Sequence, residues 1–220
     1  MILEIDNVEL YFKEKRILNG IYLKAETGKI TGILGSNGCG KSCLLKIIFG
    51  DLNPKYKLIR IDNSPILKPL YQTQLIAYLP QHYFIPKRLK VKTVFKLFNV
   101  DWKVFINTFE SFSIYKNLIF NKLSGGEQRL LETYIILKSK HKIVLLDEPF
   151  SHLSPLYIEK IKTLISKEKE KKAIIITDHM YRHIVDVSDR IYLLKNGNTK
   201  LINDLKELED YKYLSIGALD

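Results

Sequence analysis

The sequence predicts an α/β fold in which a mainly parallel sheet is flanked by helices, with a helical insertion in the middle. Three observations predict it. Short apolar runs of strand character (ITGILG, KIVLLDE, AIIIT, RIYLLKNG) alternate with helical stretches, as in a parallel sheet covered on both faces. One of them, ITGILG, runs straight into a glycine-rich loop and a helix. From about residue 88 to 137 the alternation gives way to an aromatic-rich, helix-like section.

In chain order, ILEIDNVELYF, ILNGIYLKA and KITGILG alternate as strands do. CLLKIIFG reads as a helix ending at Gly50, a residue suited to a left-handed C-terminal cap. Residues 51–80 carry Pro54, Pro65 and Pro69 among the strand-like fragments LIRI and IAYLP. VKTVFKLF and WKVFINTFESF supply the helical section. After it come the strand KIVLLDE, an amphipathic helix around LYIEKIKTLISKEKE, the strand AIIIT, a helix through Ser188 and the strand RIYLLKNG.

A length of 220 residues suits one large domain, and 1–220 is read as such. The apolar runs are broken well before the roughly 18–20 residues of a membrane span, and the acidic N-terminus MILEIDNVEL does not read as a secretory signal. A cytoplasmic protein is expected. The two cysteines, Cys39 and Cys43, lie in and just after the glycine loop and give no disulfide framework. The net charge of +11 raises nucleic acid or an anionic membrane as a partner. The excess is nearly all lysine in a chain rich in isoleucine and asparagine, as an AT-rich coding bias produces, and no nucleic acid is expected.

GSNGCGKS, spanning Gly35, Ser36, Asn37, Gly38, Cys39, Gly40, Lys41 and Ser42, fits G-x-x-x-x-G-K-[ST] in the strand–loop–helix setting that motif needs. Its glycines let successive backbone amides turn inward around a phosphate chain, and the helix adds its positive end. Lys41 is placed to reach the β- and γ-phosphates and Ser42 to hold Mg²⁺. KIVLLDEP ends an apolar strand in two acids: Asp147 to orient Mg²⁺ and Glu148 to polarise an attacking water. Acidic pairs at strand ends are common, and the glycine loop gives this one its meaning.

The ordered set GSNGCGKS, Gln81 in YLPQ, LSGGEQ at 123–128, LLDEP and His179 in ITDH resembles the nucleotide-binding subunits of ATP-binding cassette (ABC) transporters over essentially the whole chain. The resemblance implies a P-loop NTPase fold with an N-terminal antiparallel β subdomain and a helical subdomain, about 82–137, carrying the signature LSGGEQ. It implies ATP and Mg²⁺ as cofactors, and hydrolysis in a dimer whose subunits pack head to tail. There Ser124, Gly125 and Gly126 of one subunit face the γ-phosphate held by the other. Gln81 matches the glutamine that senses Mg²⁺ and the attacking water, and His179 the switch histidine. Phe12, 23 residues before Gly35, has the better spacing for stacking on adenine, with Tyr11 as the alternative.

Within the family, LPQHYFIPKRLKV, LSGGEQRLLE, LDEPFSHLSP and ITDHMYRHI look most like the group serving lipopolysaccharide export and branched-chain amino-acid uptake. Two positions depart from the pattern. Ser154 stands where the D-loop aspartate is usual, and Cys43 where a Ser or Thr commonly bonds the α-phosphate; a thiol is the poorer donor. The implied partners are a second ATPase subunit, most simply a copy of this chain, and membrane-spanning permease subunits that hold it at the cytoplasmic face. HYFIPKRLKV, with Tyr83 and Phe84, is read as part of the groove for a permease helix. A soluble cassette ATPase acting on nucleic acid or ribosomes, or in iron–sulfur cluster assembly, is the alternative.

Overall fold

The computed structural model describes residues 1–218. It opens with two long antiparallel strands, β1 (Ile2–Phe12) and β2 (Lys15–Glu26), followed by β3 (Ile30–Leu34), α1 (Lys41–Phe49), β4 (Tyr56–Ile61), the two-residue β5 (Ser64–Pro65) and β6 (Ile76–Leu79). The middle holds α2 (Val91–Leu97), α3 (Trp102–Thr108) and α4 (Gly125–Lys138). The last third runs β7 (Ile143–Asp147), α5 (Pro155–Glu168), β8 (Ala173–Thr177), α6 (Tyr181–Val187), β9 (Arg190–Lys195), β10 (Asn198–Ile202) and the single turn α7 (Glu207–Asp210).

Two sheets result. The order β2-β1-β4-β5 is antiparallel, and β10-β9-β3-β8-β7-β6 is parallel apart from its β9–β10 edge. The central strands read as unbroken apolar runs because both of their faces are buried. In β7 and β8, Ile143, Leu145, Ala173 and Ile175 pack with the antiparallel sheet and with Leu44, Leu45, Ile47 and Ile48 of α1. Their alternates Val144, Leu146, Ile174 and Ile176 pack beneath α4, α5 and α6. The α/β class, the antiparallel N-terminal sheet and the helical insertion are all present.

Two local differences from the sequence reading have simple causes. The first helix starts at Lys41, two residues before CLLKIIFG, because its opening turn is made by the glycine loop itself, with Gly40 at the N-cap. β10 follows β9 through Asn196–Gly197, whose positive φ angles of 50° and 79° suit a tight hairpin. In the insertion, aromatic rings pack against one another: Phe105 lies 4.8 Å from Tyr134 and Phe95 lies 4.9 Å from Trp102, centroid to centroid. This cluster seats α4, and α4 positions the signature glycines at its exposed N-terminus.

Candidate functional site

The parallel strands converge on one cleft of about 650 Å³, lined by Phe12, Ile17, Asn37, Gly38, Gly40, Lys41, Ser42, Cys43, Gln81, Glu148 and His179. The sequence motifs meet there because β3, β6, β7 and β8 are neighbours and each expected polar residue follows the C-terminal end of one of them. The loop after β3 arrives at α1 through Gly40, whose φ of 110° and close approach to Leu18 leave no room for a Cβ. With no capping side chain, the first amides of α1 face the cleft and suit an anion. Lys41 is buried, and its Nζ donates to the Gly35 and Ser36 carbonyls at 2.6 and 3.1 Å. Cys39 and Cys43 are half-buried, and burial pushes both thiols up, so the loop carries neutral –SH groups.

Asp147 is buried at the end of β7, accepting from Ser42 Oγ and from Tyr78 OH, both at 3.1 Å. Burial pushes its carboxyl up, and those two bonds oppose the shift. Tyr78, to which the stretch YLPQ assigns no role, is itself pushed up by burial and by this carboxylate. Among the described residues no cluster of three or more His, Cys, Asp or Glu side chains forms a metal cage. One carboxylate beside one hydroxyl is instead the sparse oxygen set that suits Mg²⁺, which keeps its waters and takes phosphate oxygens. The residues present fit that ion.

Glu148 follows in the left-handed region, φ 55°, its amide donating to Thr177 O at 2.7 Å. Its Oε2 accepts from Ser151 Oγ at 3.3 Å and lies 3.7 Å from His179 Nδ1. Asp178, another residue the sequence reading passed over, is fully buried beside His179. Its carboxylate accepts from Phe150 N at 3.2 Å and Met180 N at 3.0 Å, and lies 3.3 Å from His179 Nδ1, so it ties the turn after β7 to the turn after β8.

Ser124, Gly125 and Gly126 do not line the cleft. They stand at the start of α4, where Ser124 and Glu127 exchange hydrogen bonds in a capping box, Ser124 N to Glu127 Oε2 at 2.7 Å and Glu127 N to Ser124 Oγ at 3.3 Å. A Cβ on Gly126 would run into the His152 carbonyl, so the second glycine also lets the loop before α5 lie close. Ser154 is exposed at the N-cap position of α5, and its side chain makes no capping bond.

The two aromatic candidates have different surroundings. Phe12 lines the cleft and is 49% exposed. Tyr11 sits between Arg16 and Lys55, 5.7 and 5.4 Å from its ring centre, and its hydroxyl donates to Glu9. A base stacked on an aromatic ring gains about 1–3 kcal/mol, with a half-open site near the low end. Phe12→Ala is therefore expected to weaken ATP binding about tenfold and Tyr11→Ala by less than threefold in a direct nucleotide-binding assay. The reverse order would move the adenine contact to Tyr11.

The family model for the ABC transporter matches residues 18–151, more than half of the chain. The chain belongs to the ABC transporter family. The cassette is 30% identical over 212 residues to the lipopolysaccharide export system ATP-binding protein LptB of Haemophilus influenzae, covering 89% of this chain and 88% of that one. It is likewise 30% identical to the probable branched-chain amino acid transport ATP-binding protein LivF of Archaeoglobus fulgidus, covering 95% of this chain and 96% of that one. Its fold matches a solved ATP-binding subunit of an ABC transporter with a TM-score of 0.84 at 20% identity, over 100% of this chain and 97% of the other. As a member of this family, the cassette is an ATP-binding subunit and an ATPase.

Proposed function

We propose that this ATPase works as one of two subunits packed head to tail, and that the pair drives transport through separate membrane-spanning permease subunits. The observation that carries the reading is the division of the site. Phe12, Lys41, Ser42, Gln81, Glu148 and His179 share one cleft, whereas the signature glycines stand apart from it at an exposed helix N-terminus. A second nucleotide, held by another subunit, gives that terminus a ligand.

In this reading Phe12 stacks on adenine, while the amides of residues 35–42 and Lys41 hold the phosphates. Cys43 stands beside the α-phosphate as a weak donor. Ser42, Asp147 and Gln81 would hold Mg²⁺, which when bound would supply charge neutralisation for the phosphate chain. Glu148 takes a proton from the attacking water as its oxygen bonds to the γ-phosphorus, and the bond to the β–γ bridging oxygen breaks. ADP and phosphate leave. His179, braced by Asp178, contacts the γ-phosphate. Closing on ATP and reopening after hydrolysis gives two states of different affinity, which is what a transport cycle needs.

No helix among the described residues is long and apolar enough to cross a membrane. In this reading it is the permease that holds the cassette at the cytoplasmic face. The names of two relatives refer to cargoes as unlike as lipopolysaccharide and branched-chain amino acids, which supports a reading in which cargo is selected by the permease. Of the aromatic pair expected to meet it, Tyr83 is exposed, whereas Phe84 is half-buried and packs edge-on against Phe98 at 5.8 Å. Leu97, next to Phe98 in the chain, is 65% exposed at the end of α2 and does not line the cleft. The wild-type chain is expected to co-purify from its native membranes with a multi-span protein, and Leu97→Asp to release it with ATP binding intact. Recovery of the wild type only in the soluble fraction, at native expression and low salt, would overturn the reading.

A further inference from the structure

The helix that carries the signature glycines also sends two ionic side chains inward, Arg129 and Glu132, to which no role has been given above. Arg129 is 1% exposed and Glu132 0% exposed, one turn apart on the same side of α4. Arg129 spans two segments of the cleft. Its Nη1 donates to the Pro80 carbonyl at 2.7 Å, its Nε and Nη2 each donate to the Glu148 carbonyl at 3.0 Å, and its Nη2 also donates to the Asp147 carbonyl. Glu132 Oε1 accepts from Phe84 N at 2.9 Å and Ile85 N at 3.1 Å, while its Oε2, buried with no hydrogen-bond partner, faces Arg129 Nη1 at 3.8 Å. Tyr83 OH adds a bond to the Gly125 carbonyl at 3.1 Å.

Gln81 therefore lies in a short bridge, residues 80–85, whose two ends are both fastened to α4. Glu148 is fastened to the same helix by the carbonyls of residues 147 and 148, at a left-handed backbone turn that is uncommon for residues other than glycine. A buried guanidinium has five donors to satisfy, and a single Arg reaching three carbonyls does so in one geometry only.

We propose that Arg129 and Glu132 are positioning residues that set Gln81 and Glu148 for hydrolysis from the helix whose N-terminus reads the partner's nucleotide. The direction of the signal, from the partner's nucleotide to this chain's own cleft, rests on the head-to-tail reading. The positioning itself rests on this chain's contacts alone. The arrangement gives each subunit a route from signature loop to hydrolytic centre that does not pass through Ser154.

The test uses the full-length chain with single-turnover phosphate release, nucleotide-binding stoichiometry and a thermal melt. Arg129→Lys keeps the charge but cannot reach three carbonyls. Glu132→Gln keeps the acceptor for Phe84 and Ile85 but loses the charge facing Arg129. Both are expected to bind one ATP per chain with affinity within about threefold of the wild type. Hydrolysis should fall about a hundredfold in Arg129→Lys, the scale of loss from an ångström's misplacement, and about tenfold in Glu132→Gln. Because Arg129 acts largely through Glu148, the loss should shrink severalfold when Arg129→Lys is made in a Glu148→Gln background, whereas a merely structural role would cost the same factor again.

Hydrolysis within twofold of the wild type in Arg129→Lys would overturn the proposal. So would a loss that only tracks the fraction of chains able to bind ATP, an undiminished loss in the Glu148→Gln background, or failure of both variants to fold. All comparisons are ratios at one chain concentration. Failure of the dimer reading shows separately, as a wild-type specific rate independent of chain concentration.

Discussion

Glu148→Gln is expected to bind ATP as the wild type does and to hydrolyse it about a thousandfold more slowly, within the range that a positioned general base contributes. Gln has the volume of Glu and keeps an acceptor for Ser151 Oγ, which now lies 3.3 Å from the Glu148 carboxylate. The backbone is held independently of the side chain, by Thr177 O on the amide and by Arg129 on the carbonyl. The substitution therefore removes a base and little else, and ATP affinity should stay within about twofold because the glycine loop and Phe12 are untouched. Single-turnover phosphate release and equilibrium nucleotide binding separate the two quantities. Hydrolysis reduced by less than tenfold would take the proton-accepting role from Glu148, and His179, with Nδ1 3.7 Å away, would be the group to test next.

The parts of this site that were legible in the sequence are those in which one short segment does the chemistry. GSNGCGKS needs only its own glycines and the helix it begins, and LLDE needs only a strand end, so residue type and spacing locate both. The section from about 88 to 137 was legible as helical and rich in aromatics, and the structure shows those rings packed around α4. Elements that depend on a distant segment were not legible. Arg129 sits in RLLETYIIL like any solvated helix charge, and only the tertiary fold brings it under the carbonyls of residues 80, 147 and 148. Tyr78 looks like one more strand aromatic until β6 pairs with β7 and its hydroxyl meets Asp147. Spacing to the glycine loop favours Phe12 over Tyr11 in the sequence, and the structure puts Phe12 on the face of β1 that lines the cleft. β10 is the reverse case: Asn196–Gly197 after RIYLLK is a strong hairpin signal, and the strand after it was missed because NTKLI is short and half polar.

The largest effect on assembly is expected from Ser124→Arg. If the signature loop reads a nucleotide held by another subunit, a Glu148→Gln chain given ATP and Mg²⁺ should accumulate as a closed dimer with two nucleotides trapped. Adding Ser124→Arg places a long cationic side chain where the partner's γ-phosphate must sit, and it removes the hydroxyl that accepts from Glu127 N. Loss of such a capping bond costs about 1 kcal/mol of helix stability, which the buried face of α4 should tolerate. The cleft lined by Lys41, Ser42 and Glu148 does not include Ser124, so monomer affinity for ATP should change by less than about twofold. The dimer should be lost altogether, since the symmetric interface uses this contact twice. Light scattering reads the mass and a direct binding assay the affinity. Should Ser124→Arg abolish binding to the monomer, the signature loop would belong to the chain's own site and the head-to-tail arrangement would fail. Should Glu148→Gln alone stay monomeric with hydrolysis stopped, Ser154 becomes the point to test, because the usual aspartate is missing from an exposed position beside the signature glycines' own neighbour, His152. Restoring Asp at 154 in that background should bring the dimer back if the interface is weakened there. If it does not, closure requires the permease, and the same variant should dimerise only in membranes that contain it.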